Sequence, residues 1–160
     1  MAERTLVIVD AGMVAGYRRS SLSLAQLHQA LVHLHRQHPD VRVAVVADPS
    51  MKWDLDPAEQ ATFDADIVAG AIVCAPAGAF DGTAGFIERA AEQARAEHDR
   101  VVAFTARAIP GVPLGRLRNE GGRWIWDLDG TTTVDAPTAK AAVAVGAAAN
   151  GRRRRRSSRS

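Results

Sequence analysis

The chain has 160 residues, enough for one domain with a hydrophobic core, and no apolar run reaches the roughly 20 residues that span a membrane. Its single cysteine, Cys74, excludes an internal disulfide, and no cysteine–histidine cluster has zinc spacing. The net charge of +2 hides an uneven distribution. Residues 152–160 contain six arginines and no acid, so residues 1–151, with 14 basic and 18 acidic residues, carry −4. We expect a cytoplasmic protein without a signal peptide.

The first predicted element is a strand at Thr5–Asp10. Its residues before Asp10 are apolar or β-branched without polar alternation, which is typical of a strand buried on both faces in a parallel sheet. The run ends at the carboxylate of Asp10, and open α/β sheets bind ligands outside the carboxyl ends of their strands. Asp10 is therefore a candidate site residue, although an aspartate here can also simply cap the next segment.

Further buried-strand patterns alternate with helix patterns along the chain. The strands are predicted at residues 41–47, 71–75, 101–104 and, at an edge, 123–127. A helix with leucines at helical spacing begins at Leu24, and others begin at Asp56–Pro57 and at Asp81 or Thr83. This alternation predicts an α/β fold, a three-layer α/β/α sandwich with a four- to five-stranded, mainly parallel sheet.

Several local patterns have their own interpretations. Residues 53–56 indicate a loop, Glu59 completes a capping box with Asp56, and residues 114–118 indicate one helical turn. Trp124 and Trp126 are interpreted as one core and one exposed residue, the exposed one able to stack a base or to contact a partner. Four histidines on or near the leucine-rich helix are interpreted as a solvated face: His28, His33, His35 and His38.

The composition changes near Asp129. Residues 130–150 form a low-complexity, Ala/Thr-rich linker, and residues 151–160 form an Arg-rich tail that we expect to be disordered. The predicted organisation is a folded domain over residues 1–129 followed by these two segments.

Several acids are predicted at one rim of the sheet, the side where the carboxyl ends of the parallel strands lie. Asp10 and Asp48 each end a strand, Asp81 begins a helix, and Asp64 or Asp66 precedes the third strand. Such carboxylates repel one another unless a cation joins them, and oxygen ligands suit Mg²⁺ or Mn²⁺, which can activate water for phosphodiester cleavage. Nucleic-acid binding also needs positive charge, and candidate residues can supply it: Arg18, Arg19, Arg107, Arg152, Arg153, Arg154, Arg155 and Arg156.

The order of these motifs resembles a PIN-like domain of the NYN or Zc3h12-type ribonuclease branch over residues 5–127. The resemblance rests on strands that end at Asp10 and Asp48 and on the segment from Ala75 to Ile87. It implies a metal-dependent nuclease that acts on RNA, with Asp10 and Asp81 as catalytic residues and Asp10, Asp81 and Asp48 as metal ligands.

The chain departs from the family pattern at three places. Met13 replaces an asparagine, Thr83 and Ala84 stand where acids are usual, and Arg107 stands where the family has an aspartate. Because an arginine opposes the binding of a cation, we expect a degenerate acidic site with weak or absent cleavage.

Two other functions stay open. One is a catalytically inactive PIN-like module that binds nucleic acid, a protein partner or a second copy of itself. The other is a Rossmann-like domain for a small ligand, against which the chain has no Gly-x-Gly-x-x-Gly motif after its first strand. Fold class alone does not decide between these functions.

Overall fold

The structure, a computed structural model, describes residues 3–76 and 82–129. Its centre is a four-stranded sheet in the order β3-β2-β1-β4, in which every pairing is parallel. The strands are β1 (Thr5–Asp10), β2 (Arg42–Ala47), β3 (Val73–Cys74) and β4 (Arg100–Phe104). The predicted parallel order is confirmed, although β3 has two residues rather than five.

Five helices connect and cover the strands in the part of the chain that the structure describes. They are α1 (Ala11–Ala15), α2 (Leu24–Gln37), α3 (Met51–Asp54), α4 (Pro57–Val68) and α5 (Gly82–Ala94). The Ser23 hydroxyl accepts from the Gln26 backbone at 3.1 Å and so caps α2. The Glu59 carboxylate also caps α2, because it accepts from the backbone nitrogens of Leu24 and Ala25, both at 2.9 Å. Glu59 therefore joins α4 to α2 through a long-range contact.

Alternation along the strands divides the core between the two faces of the sheet. Val7 and Val9 belong to the cluster that includes the leucines of α2 and Phe63 of α4. Ile8 points to the opposite cluster, which includes Ile87 of α5. Each face is thus covered by helices, as the predicted three-layer α/β/α architecture requires.

The last two strands form a separate antiparallel hairpin, β5 (Arg116–Glu120) and β6 (Arg123–Asp127). Gly121 and Gly122 both have positive φ, 63° and 89°, which suits a two-residue hairpin turn. The helical turn predicted at residues 114–118 is therefore wrong, and β6 is not a fifth strand of the parallel sheet. Hairpin pairing joins residues across the glycine turn, and this pairing overrides the short local pattern.

The hairpin packs on α2 through hydrogen bonds from side chains of the helix. Gln37 accepts from the Trp126 backbone nitrogen at 2.9 Å and donates to the Trp124 carbonyl oxygen at 2.5 Å. His33 Nδ1 accepts from the Trp124 nitrogen at 2.8 Å, and His38 Nε2 lies 2.7 Å from the Trp126 oxygen. The prediction of a solvated histidine face is therefore wrong for His33 and His38.

Trp124 and Trp126 are both buried, so the prediction that one of them is exposed is also wrong. Residues two apart on a strand share one face, and this face of β6 lies against α2. The Trp126 indole nitrogen donates to the backbone oxygen of Ala30 at 2.8 Å. The centres of the Trp126 and Phe104 rings are 4.9 Å apart, in an edge-to-face arrangement. Neither tryptophan is available for stacking a base.

Some predictions fall outside the described ranges. Asp81, the linker at 130–150 and the arginines of the tail all lie there. Over residues 3–76 and 82–129, no helix is long and apolar enough to cross a lipid bilayer.

Candidate functional site

Asp10 is the last residue of β1 and also the N-cap of α1. Its Oδ1 accepts from the backbone nitrogens of Gly12 at 3.1 Å and Met13 at 3.4 Å. Its Oδ2 has no hydrogen-bond donor among the described residues. Burial raises the pKa of Asp10, the two backbone bonds oppose this rise, and the charge of Asp48 adds to it. Asp10 thus caps α1 and still presents a carboxylate oxygen at the rim.

Asp48 lies beside Asp10 because β1 and β2 are adjacent and parallel. The register pairs Asp10 with Val46, and Asp48 follows two residues later. Asp48 is exposed, and its Oδ1 accepts from both the backbone nitrogen of Ser50 at 2.8 Å and the Ser50 hydroxyl at 2.7 Å. These bonds lower the pKa of Asp48. The rim therefore holds one exposed carboxylate of lowered pKa beside one partly buried carboxylate of raised pKa.

The other described acids do not complete a metal site. Within residues 3–76 and 82–129, no group of three His, Cys, Asp or Glu side chains could hold an ion. Asp64 and Asp66 lie inside α4, where Asp64 pairs with Lys52 and Asp66 pairs with His28, each at 2.7 Å. The described part of the site therefore consists of Asp10 and Asp48.

The three candidate arginines that the structure describes, Arg18, Arg19 and Arg107, are exposed and lie outside the helices and strands. Arg107 follows β4, whose neighbour is β1, so the chain leaves the sheet there at the same edge as Asp10. The Thr105 hydroxyl donates to the Arg107 carbonyl at 2.5 Å and closes this turn. Arg18 has a φ of 55° and lies 5.4 Å from the centre of the Tyr17 ring, whereas Arg19 donates to the Ser21 oxygen at 3.2 Å.

The sequence reasoning missed two residues near the rim, Lys52 and Trp53. Residues 51–54 form the short helix α3, so the loop predicted at residues 53–56 is wrong for Trp53 and Asp54. The backbone nitrogen of Met51 donates to the backbone carbonyl oxygen of Asp48 at 2.9 Å. Trp53 is 70% exposed, and the Lys52 ammonium lies 5.0 Å from the centre of its ring. The spacing of Met51 and Leu55, two apolar residues four positions apart, is the signal that could have indicated a helical turn.

Comparisons with known proteins bear on the fold. No family model matches the chain, and no curated protein matches it significantly. Among solved structures, it is similar to the crystal structure of the nuclear proteinaceous RNase P 2 (PRORP2) from A. thaliana, with a TM-score of 0.54 and 15% identity. The chain has a PIN-like fold. The match covers 80% of this chain and 30% of the PRORP2 chain, and at this identity it carries the fold alone.

Proposed function

We propose that this PIN-like domain associates with RNA at the carboxyl rim of its sheet and that Mg²⁺ or Mn²⁺ bound there supports only weak cleavage. The observation that carries the proposal is the position of Asp10 and Asp48 at the carboxyl ends of adjacent parallel strands. Burial raises the pKa of Asp10, and the charge of Asp48 adds a smaller rise. Asp10 and Asp48 would hold a divalent ion, whose charge would offset the repulsion between their carboxylates.

The two carboxylates fit such an ion chemically. Each uses Oδ1 for a local hydrogen bond, and within the described residues each has an Oδ2 without a donor. Mg²⁺ keeps several waters and commonly uses one or two carboxylates, so Asp10 and Asp48 suffice for weak binding, and we propose Asp81 as a third ligand. When bound, the ion activates water and stabilises charge on a phosphate.

Arg107 supports a weak rather than a strong metal site. Its charge lies on a turn that leaves the sheet at the rim and opposes a bound cation, but the same charge attracts a phosphate group. The RNase P in the name of the similar structure supports RNA as the bound polymer. Loss of cleavage therefore does not require loss of binding.

The metal site is tested by calorimetric titration of Mn²⁺ into the full chain. We expect weak binding by the wild type, no binding by Asp10→Asn, and binding several-fold tighter in Arg107→Asp. Arg36→Asp is the matched control, because it makes the same change of charge away from the site. Arg36 lies in the last turn of α2, which leads to the start of β2, at the end of the sheet opposite to Asp10 and Asp48. Tight binding that Asp10→Asn leaves unchanged would show that the site is elsewhere.

Cleavage distinguishes a weak nuclease from the inactive module. Incubation of single-stranded RNA with Mn²⁺ should give slow cleavage by the wild type and none by Asp10→Asn. The alternative, a catalytically inactive nucleic-acid-binding module, is favoured by the lack of a third described ligand. RNA binding without any cleavage by wild type would support that alternative.

The Arg-rich tail is proposed to add sequence-independent affinity for RNA. Deletion of residues 152–160 removes six arginines and should weaken RNA binding at low salt about tenfold or more, with a shallower salt dependence. The melting temperature should not change. A variant with the six arginines replaced by glutamine keeps the chain length and should behave like the deletion. Equal affinity in all three proteins would contradict a role for the tail.

A further inference from the structure

We infer that Trp53 is a stacking platform for an unpaired base of single-stranded RNA, next to the Asp10–Asp48 rim. The inference rests on the proposed association with RNA and assigns one contact within it. Trp53 is the one tryptophan of three in the chain that is exposed, at 70%, whereas Trp124 and Trp126 are 3% and 1% exposed.

The helix α3 holds the indole in an outward position. Met51 and Leu55, on either side of Trp53, are each 3% exposed and anchor the turn in the core. Two backbone hydrogen bonds fix this turn. The Met51 amide donates to the carbonyl oxygen of Asp48 at 2.9 Å, and the Trp53 amide donates to the carbonyl oxygen of Ser50 at 3.1 Å. The backbone under the ring is therefore ordered before any ligand binds, which lowers the entropic cost of stacking.

The surroundings of Trp53 suit a single base better than an apolar protein surface. Its neighbours Lys52 and Asp54 are charged, and the other exposed large apolar residues of the described chain lie on other elements. A protein-docking patch needs several hundred Å² of contiguous apolar surface, whereas a base needs only one face of an aromatic ring. The Lys52 ammonium near the ring is already paired with Asp64 at 2.7 Å, so the expected contact at this site is stacking of the base rather than a bond to a phosphate.

The acids near α3 differ in their partners. Asp64 pairs with Lys52 at 2.7 Å, whereas Asp54 makes no ion pair with a described residue and lines a surface cavity of about 480 Å³ that Arg19 also lines. Asp48 begins the turn that leads into α3 and is one of the two carboxylates proposed to hold the divalent ion. The base itself is uncharged, so stacking on Trp53 needs no basic surface around the ring.

Tryptophan fluorescence tests this inference directly. A short single-stranded oligouridylate is titrated into the full chain with Mg²⁺ present, and binding is followed in parallel by anisotropy of a label on the RNA. We expect RNA to quench the wild-type emission. Trp53→Phe should lose most of the quench and keep its affinity within about twofold, because a phenyl ring still stacks. Trp53→Ala should bind about fivefold or more weakly.

The controls separate this inference from the function on which it rests. Val68→Ala removes apolar atoms from a side chain that is 89% exposed and should leave RNA affinity unchanged. Binding by anisotropy with a quench that persists in Trp53→Phe, or with unchanged affinity in Trp53→Ala, would overturn the stacking role alone. No RNA binding by the wild type would overturn the proposed function and this inference together. A protein ligand that Trp53→Ala releases, without any quench by RNA, would also overturn the stacking role.

Discussion

Trp126 and Trp53 mark two regions in which the same residue type has opposite surroundings. Trp126 lies between β6 and α2, where its ring contacts Phe104 and its indole nitrogen donates to Ala30. Trp53 lies beside the carboxyl rim, 70% exposed, with the Lys52 ammonium 5.0 Å from the centre of its ring. The first tryptophan stabilises the fold, and the second is free to contact a ligand.

The polar groups of the two regions differ in the same way. At the α2–β6 interface, Gln37 and His33 satisfy backbone groups that the hairpin leaves unpaired. At the rim, Asp10 and Asp48 each have an oxygen without a donor among the described residues, and the two charges repel. Interfaces that only stabilise a fold tend toward full pairing, whereas sites for ligands keep groups unpaired.

The largest expected effect is on the interface tryptophan. Trp126→Ala leaves a cavity against Phe104 and removes the bond to Ala30, so it should lower the free energy of unfolding by about 3–5 kcal/mol. Trp53→Ala, the matched control, should change it by less than about 0.5 kcal/mol, because the ring is exposed. Urea denaturation measures both variants. Equal losses in the two proteins would remove the distinction between the regions.

A smaller effect is expected from the glutamine that joins α2 to β6. Gln37→Ala leaves the Trp126 nitrogen and the Trp124 oxygen without this partner, which should cost about 1–3 kcal/mol of unfolding free energy. Gln29→Ala changes an exposed glutamine on the same helix and should lower the free energy of unfolding by less than about 0.5 kcal/mol. Denaturation midpoints compare the two variants. A Gln37→Ala protein as stable as Gln29→Ala would show that these bonds contribute nothing net.

The smallest expected effect has the opposite sign and lies at the rim. Because the folded state raises the pKa of Asp10, ionisation of Asp10 costs stability as the pH rises through that raised pKa. Asp10→Asn removes the charge and keeps an N-cap acceptor, so it should stabilise the protein at neutral pH by about 0.5–2 kcal/mol.

The pH dependence of unfolding tests whether Asp10→Asn stabilises the protein by removing the charge. The advantage of Asp10→Asn should disappear below the ordinary aspartate pKa of about 3.9, where the wild-type carboxyl is protonated in both states. Thermal melts of the two proteins at several pH values measure it. Saturating Mn²⁺ should stabilise only the wild type. An Asp10→Asn protein less stable than wild type at neutral pH would show that the charge of Asp10 stabilises the folded state, contrary to its raised pKa.

The parallel sheet could be read from the sequence because its signals are local. Contiguous apolar residues end at Asp10 and predict β1 with its observed bounds, Thr5–Asp10. Helix-length segments between the apolar runs allow the crossovers that parallel strands need, and parallel strands bring Asp10 and Asp48 to the same edge. The sequence therefore determined the fold class and the first two members of the candidate site.

Only the tertiary structure decided how the hairpin, the histidines and Trp53 are used. His33 and Gln37 contact β6 across 87 to 91 residues of chain, and Glu59 caps α2 from 34 to 35 residues away. No local periodicity encodes such contacts, because they depend on which surfaces meet once the sheet has formed. The exposure of Trp53 has the same origin, since Met51 and Leu55 occupy the core and leave the indole on the surface.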